Sequence, residues 1–100
     1  MNTTQVLEVI LLYREKFETM GIPKVEFSHT NKPPNQCMFE TTMPHCHGML
    51  DRIAEFVESG KQSNLEKGFR WIGFIQGVLW MNHVYTIEEM KGHNRTTHPV

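Results

Sequence analysis

The sequence has little of several features that mark large classes of protein. It contains only two cysteines, Cys37 and Cys46, in 100 residues, so it does not have the dense cysteine pattern of a disulfide scaffold. Ten Lys and Arg residues are balanced by eleven Asp and Glu, which leaves no basic excess for binding duplex nucleic acid. The longest apolar stretch, Trp71 to Val84, is interrupted by polar residues and is shorter than the roughly 20 residues that cross a bilayer. We therefore expect neither a membrane span nor a duplex partner.

What is present describes an ordinary cytosolic domain. Hydrophobic residues make up 39% of the chain and charged residues 21%, which suits one soluble domain over residues 1–100. A chain of this length can bury a sizeable core without disulfides or a structural metal. The opening residues lack the charged and apolar regions of a secretory leader. The expectation is a cytoplasmic protein with free thiols.

Helical periodicity dominates both ends of the chain, and it predicts an all-α fold. The N-terminal helix is predicted within residues 1–21, with a polar residue at positions 2–4 as its N-cap and Gly21 just past its end. The apolar stripe of this helix consists of Val6, Leu7, Ile10, Tyr13 and Phe17. Residues 22–43, which include three prolines, are predicted to be a long loop, and a loop of that length in a compact domain is usually functional.

The segment 44–95 predicts a helical hairpin and a short C-terminal helix. Pro44 suits the first turn of the second helix, which is expected to run to about Ser59. A capping box from Ser63 to Glu66 predicts the start of the third helix, and the short polar connection before it favours antiparallel neighbours. A second capping box, from Thr86 to Glu89, predicts the short helix, which is expected to stop at Gly92.

The third helix is apolar on nearly every side, which a single chain of this size does not easily cover. Gly68, Gly73 and Gly77 lie in the same helix, where each costs about 1 kcal/mol relative to Ala. They are explained if a neighbouring backbone or a ligand approaches closely, and the alternative is that they are merely tolerated. We therefore expect a homo-oligomer that shelters this helix.

The residues that could carry chemistry do not favour an enzyme or a metal protein. His45, Cys46 and His47 are consecutive at a predicted helix start, so their side chains point about 100° apart and do not face one ion. Cys46 is better explained as a small core residue, with the two histidines partly exposed. A thiolate activated by these histidines would still need an oxyanion hole and a larger scaffold. No catalytic residue, no metal ligand and no cofactor is therefore assigned.

Other residues suit a small anionic ligand that carries an aromatic ring. Tyr13 offers a ring for stacking, while Lys24, Ser28 and Thr30 offer donors for a phosphate. Tyr13 could equally be a core residue and Lys24 an ordinary solvated side chain. Arg70 stands in an apolar run and needs a partner, which is either a Glu side chain or a ligand phosphate.

Two runs near the C-terminus carry a resemblance to known phage proteins. They are residues 69–80, FRWIGFIQGVLW, and residues 84–95, VYTIEEMKGHNR. With the helix that precedes them, they resemble the helical hairpin domain of phage anti-CBASS proteins, which is shared with the anti-Thoeris sponge family. The similarity covers residues 44–95 well, whereas residues 1–43 match only through a helix bearing a tyrosine and a polar loop.

The resemblance implies a non-enzymatic sponge in the cytoplasm of an infected bacterial cell. Such proteins assemble as hexamers and sequester cyclic dinucleotide and cyclic trinucleotide immune signals without cleaving them. The family's stacking tyrosine would be Tyr13, its loop donors would lie among Lys24, Ser28 and Thr30, and Arg70 would belong to a separate trinucleotide pocket. The loop match is incomplete, because either Lys24 or Ser28 takes the position of the family's lysine. The alternative function is a small helical module that binds a host protein through the third helix.

Overall fold

The computed structural model describes residues 2–24 and 38–95, and within them all regular secondary structure is helical. The elements are α1 (Thr3–Thr19), α2 (Met38–Glu58), α3 (Gln62–Met81) and α4 (Ile87–His93). No strand occurs in these two ranges, which confirms the all-α prediction. Residues 25–37 of the predicted loop and the C-terminal residues 96–100 lie outside the described residues.

Both ends of α1 lie where the sequence predicts them. Asn2 is the N-cap, and its side-chain oxygen accepts a hydrogen bond from the Gln5 backbone N–H at 2.8 Å. Past the other end, Gly21 adopts a left-handed conformation with φ of 72°. This conformation lets the Ile22 N–H reach the carbonyl of Phe17 at 2.9 Å, which closes the helix.

Helix α2 begins earlier than predicted. Its first residue is Met38, so Pro44 lies inside the helix rather than in the first turn. A proline at this position removes one helical hydrogen bond. The turn is nevertheless anchored, because Met43 and Pro44 are both buried. Burial of this turn outweighs the local preference of proline, and the predicted boundary was wrong for that reason.

The predicted capping box at the start of α3 was also wrong. The N-cap is Lys61, two residues before Ser63, and no side chain caps it. Ser63 is therefore already helical and cannot act as an N-cap. The connection is held instead by Ser59, whose hydroxyl oxygen accepts from the Asn64 side chain at 3.1 Å and from the Lys61 N–H at 3.3 Å.

Helix α4 keeps its predicted cap and is slightly longer than predicted. The Thr86 hydroxyl accepts from the Glu89 N–H at 3.1 Å, and the Glu89 carboxylate accepts from the Thr86 N–H at 3.0 Å. The helix passes through Gly92 and ends at His93, because the Asn94 N–H still reaches helical carbonyls. The turn before it contains His83 with φ of 60°, a left-handed conformation that favours glycine.

Helix α2 lies at the centre of the fold and packs against both α1 and α3. Gly68 lies where α3 contacts α2, and an added Cβ would be 3.4 Å from a methyl group of Val57, an ordinary contact distance. Cys46 is fully buried in the core, as expected for a small apolar residue. The other core side chains are Val6, Val9, Ile10, Tyr13, Phe17, Met43, Met49, Leu50, Ile53, Val57, Ile72, Ile75 and Leu79. Among the described helices, none combines the length and apolar character needed to cross a bilayer.

Candidate functional site

Tyr13 is the centre of a polar network that joins three helices. Its hydroxyl accepts a hydrogen bond from the Gln76 amide on α3 at 3.0 Å and lies 2.9 Å from Nδ1 of His93 at the end of α4. The hydroxyl donates to His93 when the imidazole is neutral and protonated on its other nitrogen, and it accepts from Nδ1 in the other tautomer. Gln76 and Asn94 exchange two further hydrogen bonds, at 2.7 and 3.2 Å. We call Tyr13, Gln76, His93 and Asn94 the Tyr13 network.

Burial sets the protonation states within this network. Burial raises the pKa of Tyr13 to about 12, so its phenol stays protonated in the neutral range. Burial also lowers the pKa of His93 below its usual value, against the opposing effect of Glu89. Both shifts favour a neutral Tyr13 and a neutral His93.

The Tyr13 ring itself is covered. None of its surface is exposed in the single chain, and the rings of Tyr85 and His93 lie 5.6 and 5.4 Å from it. A base could stack on Tyr13 only after one of these neighbours moved away. Tyr85 is only half-buried, and the Lys16 ammonium lies 5.7 Å from its ring. The Tyr85 ring is therefore more accessible than the Tyr13 ring. Base stacking on Tyr13 stays a prediction.

Lys24 belongs to a charged cluster at the surface between α1 and α2. Its ammonium lies 3.3 Å from the Asp51 carboxylate, and the Arg14 guanidinium donates to the same carboxylate at 2.6 Å. Two cations thus share one anion, and all three side chains keep between 28% and 47% of their surface exposed. Partial burial opposes ionisation of Asp51, but the hydrogen bonds from Arg14 and Lys24 keep its pKa below the usual value. We call these residues the Arg14–Lys24–Asp51 cluster.

The cluster lies where the chain enters the predicted functional loop. Lys24 is the last residue described before this segment, so Arg14 and Asp51 lie beside the start of the loop. Ser28 and Thr30, the other predicted donors, lie outside the described residues. Their distance from the cluster in sequence is four to six residues, and their predicted role stays a prediction.

Arg70 is part of an exposed stripe on α3. Gly73, Phe74, Gly77, Trp80 and Met81 are exposed on the same side of the helix, at the spacing of successive helical turns. Phe74, Trp80 and Met81 keep 53%, 47% and 68% of their surface exposed. An added Cβ at either glycine would meet no atom within 4 Å. We call these six residues the open α3 face.

His45, Cys46 and His47 are consecutive residues of α2. Among the described residues, no group of three or more His, Cys, Asp or Glu side chains could hold an ion. His47 is buried, contrary to the expectation of partial exposure: its Nδ1 lies 2.8 Å from the carbonyl oxygen of Ile22, and its ring stacks on Phe17 at 5.1 Å. His47 therefore ties the end of α1 to α2.

Sequence reasoning missed most of the polar residues that the fold brings together. Gln76 had a usable signal, since a polar residue on the buried face of an apolar helix needs a hydrogen-bond partner. His93 and Asn94 had none, because the turn after α3 brings them back to Tyr13 from 80 residues away. Arg14 on α1 pairs with Asp51 on α2, and no sequence pattern indicated this contact.

Comparison with known proteins identifies no relative. No family model, no curated protein and no solved structure matches the chain.

Proposed function

We propose that this protein binds a cyclic oligonucleotide second messenger and holds it without cleaving it, in a homo-oligomer. The observation that carries the proposal is the Arg14–Lys24–Asp51 cluster. It has two cations for one carboxylate, so it retains a net positive charge at a partly exposed surface. Such a surface suits a phosphate, because charge-assisted N–H donors are its strongest protein partners.

The chemistry of the ligand suits a site shared by two copies. A cyclic dinucleotide has two phosphates and two bases related by approximate symmetry. A crevice between symmetric copies would present each phosphate with one Arg14–Lys24–Asp51 cluster and with the loop donors Ser28 and Thr30. The bases would then meet the Tyr13 and Tyr85 rings, with Tyr13 accessible only after its cover opens.

The larger features of the proposal come from the family resemblance. They are a hexamer, a separate cyclic trinucleotide pocket that involves Arg70, and a role in phage evasion of bacterial immunity. The antiparallel hairpin of α2 and α3 is proposed from their short connection as well as from the resemblance. The open α3 face supports self-association, because an exposed apolar stripe of this kind is normally covered by another protein surface.

Calorimetric titration with cyclic dinucleotides and cyclic trinucleotides tests ligand binding. Lys24→Ala is expected to weaken binding of the preferred ligand at least about 10-fold, since it removes a charge-assisted hydrogen bond. Asp51→Asn is expected to strengthen binding by up to about 5-fold, because Arg14 and Lys24 lose their competing anion. Lys61→Ala, which removes an exposed lysine from the α2–α3 connection, is the matched control and should bind like the wild type.

Two outcomes would contradict the proposal. Absence of binding to every cyclic nucleotide refutes the ligand class. Recovery of a linear product after incubation and heat denaturation would indicate an enzyme, whereas a sponge returns the cyclic ligand intact.

The second candidate function is a module that binds a host protein through the open α3 face. The same exposed Phe74, Trp80 and Met81 side chains favour it. The oligomeric state of the isolated protein distinguishes the two functions. A defined homo-oligomer, which covers this face, supports the sponge, whereas a monomer that binds no nucleotide supports the protein-binding module.

A further inference from the structure

We propose that the open α3 face pairs with the same face of a second copy in antiparallel orientation, with Gly77 on the two-fold axis. This pairing rests on the self-association proposed above, and it assigns that association a surface and a register. It does not depend on the identity of any ligand.

The pattern of residues along the face is self-complementary about Gly77. In an antiparallel pair centred there, each residue that precedes Gly77 faces the residue the same number of positions after it in the other copy. Phe74 and Trp80 are both three positions from Gly77, so each aromatic side chain meets an aromatic side chain of the other copy. Gly73 and Met81 are both four positions away, so the most exposed apolar side chain of the face lies opposite a residue without a side chain.

The shape of the face suits a close approach of two helices. An added Cβ at Gly73 or Gly77 would meet no atom, so within the described residues neither glycine is required by packing in the chain itself. Each costs about 1 kcal/mol of helix stability relative to alanine. A backbone that approaches at Gly77, and a Met81 side chain that fills the space over Gly73, give both glycines a reason to be there.

Charge favours the same orientation. Arg70 lies seven residues before Gly77, about 10 Å along the helix axis, so the antiparallel copy presents the region just past its α3 to this guanidinium. That region forms a surface cavity of about 390 Å³ whose lining includes Trp80, Glu88 and Glu89. Arg70 has no ion-pair partner within the described residues, and Glu88, whose side chain is 80% exposed, pairs only with the exposed Lys91 at 3.6 Å. The pairing brings Arg70 toward these carboxylates of the other copy.

The area that this pairing buries is smaller than the area of a stable interface, so the pairing is one of several contacts between copies. An aromatic side chain buries about 150–250 Å² when fully covered, and Phe74 and Trp80 each have about half left to bury. The four rings of a pair thus supply about 300–500 Å², whereas stable interfaces bury about 1,200–2,000 Å². Met81 and the rim add to this area, and further contacts between copies complete a stable oligomer.

Disulfide trapping tests the register in the full-length protein. Cys37→Ser provides the background, while Cys46 is kept because it is fully buried and burial raises the pKa of its thiol to about 12. Gly77→Cys is expected to form a disulfide-linked dimer under mild oxidation, in a fraction at least about 10-fold above that of Gly73→Cys. Two residues 77 meet on the axis, whereas two residues 73 are about 12 Å apart along it, beyond disulfide reach.

A second variant is needed because a cysteine at position 77 could itself prevent the close approach of the two helices. In Gly73→Cys/Met81→Cys the two thiols face each other across the pair and Gly77 is intact, so this variant should also cross-link. Stronger cross-linking of Gly73→Cys than of Gly77→Cys overturns the register. Failure of both Gly77→Cys and the double variant in an oligomer of unchanged mass overturns the pairing but leaves self-association standing. A monomeric wild type overturns both.

Discussion

Replacing Tyr13 by Phe tests whether the Tyr13 network holds the end of α4 in place. The substitution keeps the buried ring and removes only the hydroxyl, with its bonds to His93 and Gln76. Each buried hydrogen bond contributes about 0.5–1.5 kcal/mol, so the two together predict a loss of about 1–3 kcal/mol in the free energy of unfolding. In a chain of this size each kcal/mol corresponds to about 4–8 °C in Tm.

Urea denaturation at one fixed protein concentration measures this loss. Tyr85→Phe is the matched control, because Tyr85 is half-buried and its described contacts are made by the ring. It is expected to change the free energy by less than about 0.5 kcal/mol. If Tyr13→Phe is as stable as Tyr85→Phe, the network does not stabilise the fold and the reasoning fails.

Two further substitutions test the turn and the titration at the C-terminal end. Burial lowers the pKa of His93 below its usual value near 6.5, so the imidazole takes up a proton at higher pH in the unfolded chain than in the folded chain. The stability that neutral His93 contributes is therefore present above about pH 6.5 and is lost as the pH falls toward the folded-state pKa. His93→Gln should therefore flatten the fall in stability between about pH 7.5 and 5.5, and an unchanged slope would contradict this assignment. His83→Gly should raise the free energy of unfolding by about 1 kcal/mol, because glycine adopts the left-handed φ without strain. Equal stability of His83→Gly and His83→Ala would show that the turn stores no such strain.

Local sequence signals predicted the helices well and their starts less well. Asn2, Gly21 and the Thr86–Glu89 box act through bonds to residues within a few positions, so the sequence contains all the information they need. Pro44 and Ser63 carry equally clear local signals, but burial of the turn around Met43 and the bonds of Ser59 override them. Boundaries fail where tertiary contacts compete with propensity.

The candidate site was predictable only in part. Tyr13 and Lys24 were identified as polar or aromatic residues in suitable places, but their partners come from other helices. The Tyr13 hydroxyl meets His93 from the far end of the chain, and Lys24 shares Asp51 with Arg14. Such partners are fixed by packing rather than by spacing in the sequence. For Arg70, the pattern indicated the need for a partner without choosing between a carboxylate and a phosphate.

Light scattering of the purified protein, before and after Phe74→Asp, tests self-association through α3 most directly. Phe74 is 53% exposed in the single chain, so aspartate there should leave the helical content unchanged. The wild type is expected to have a mass several times that of one subunit, and Phe74→Asp is expected to lower it. A wild-type protein that stays at the mass of one subunit, or a variant whose mass does not change, would contradict the account.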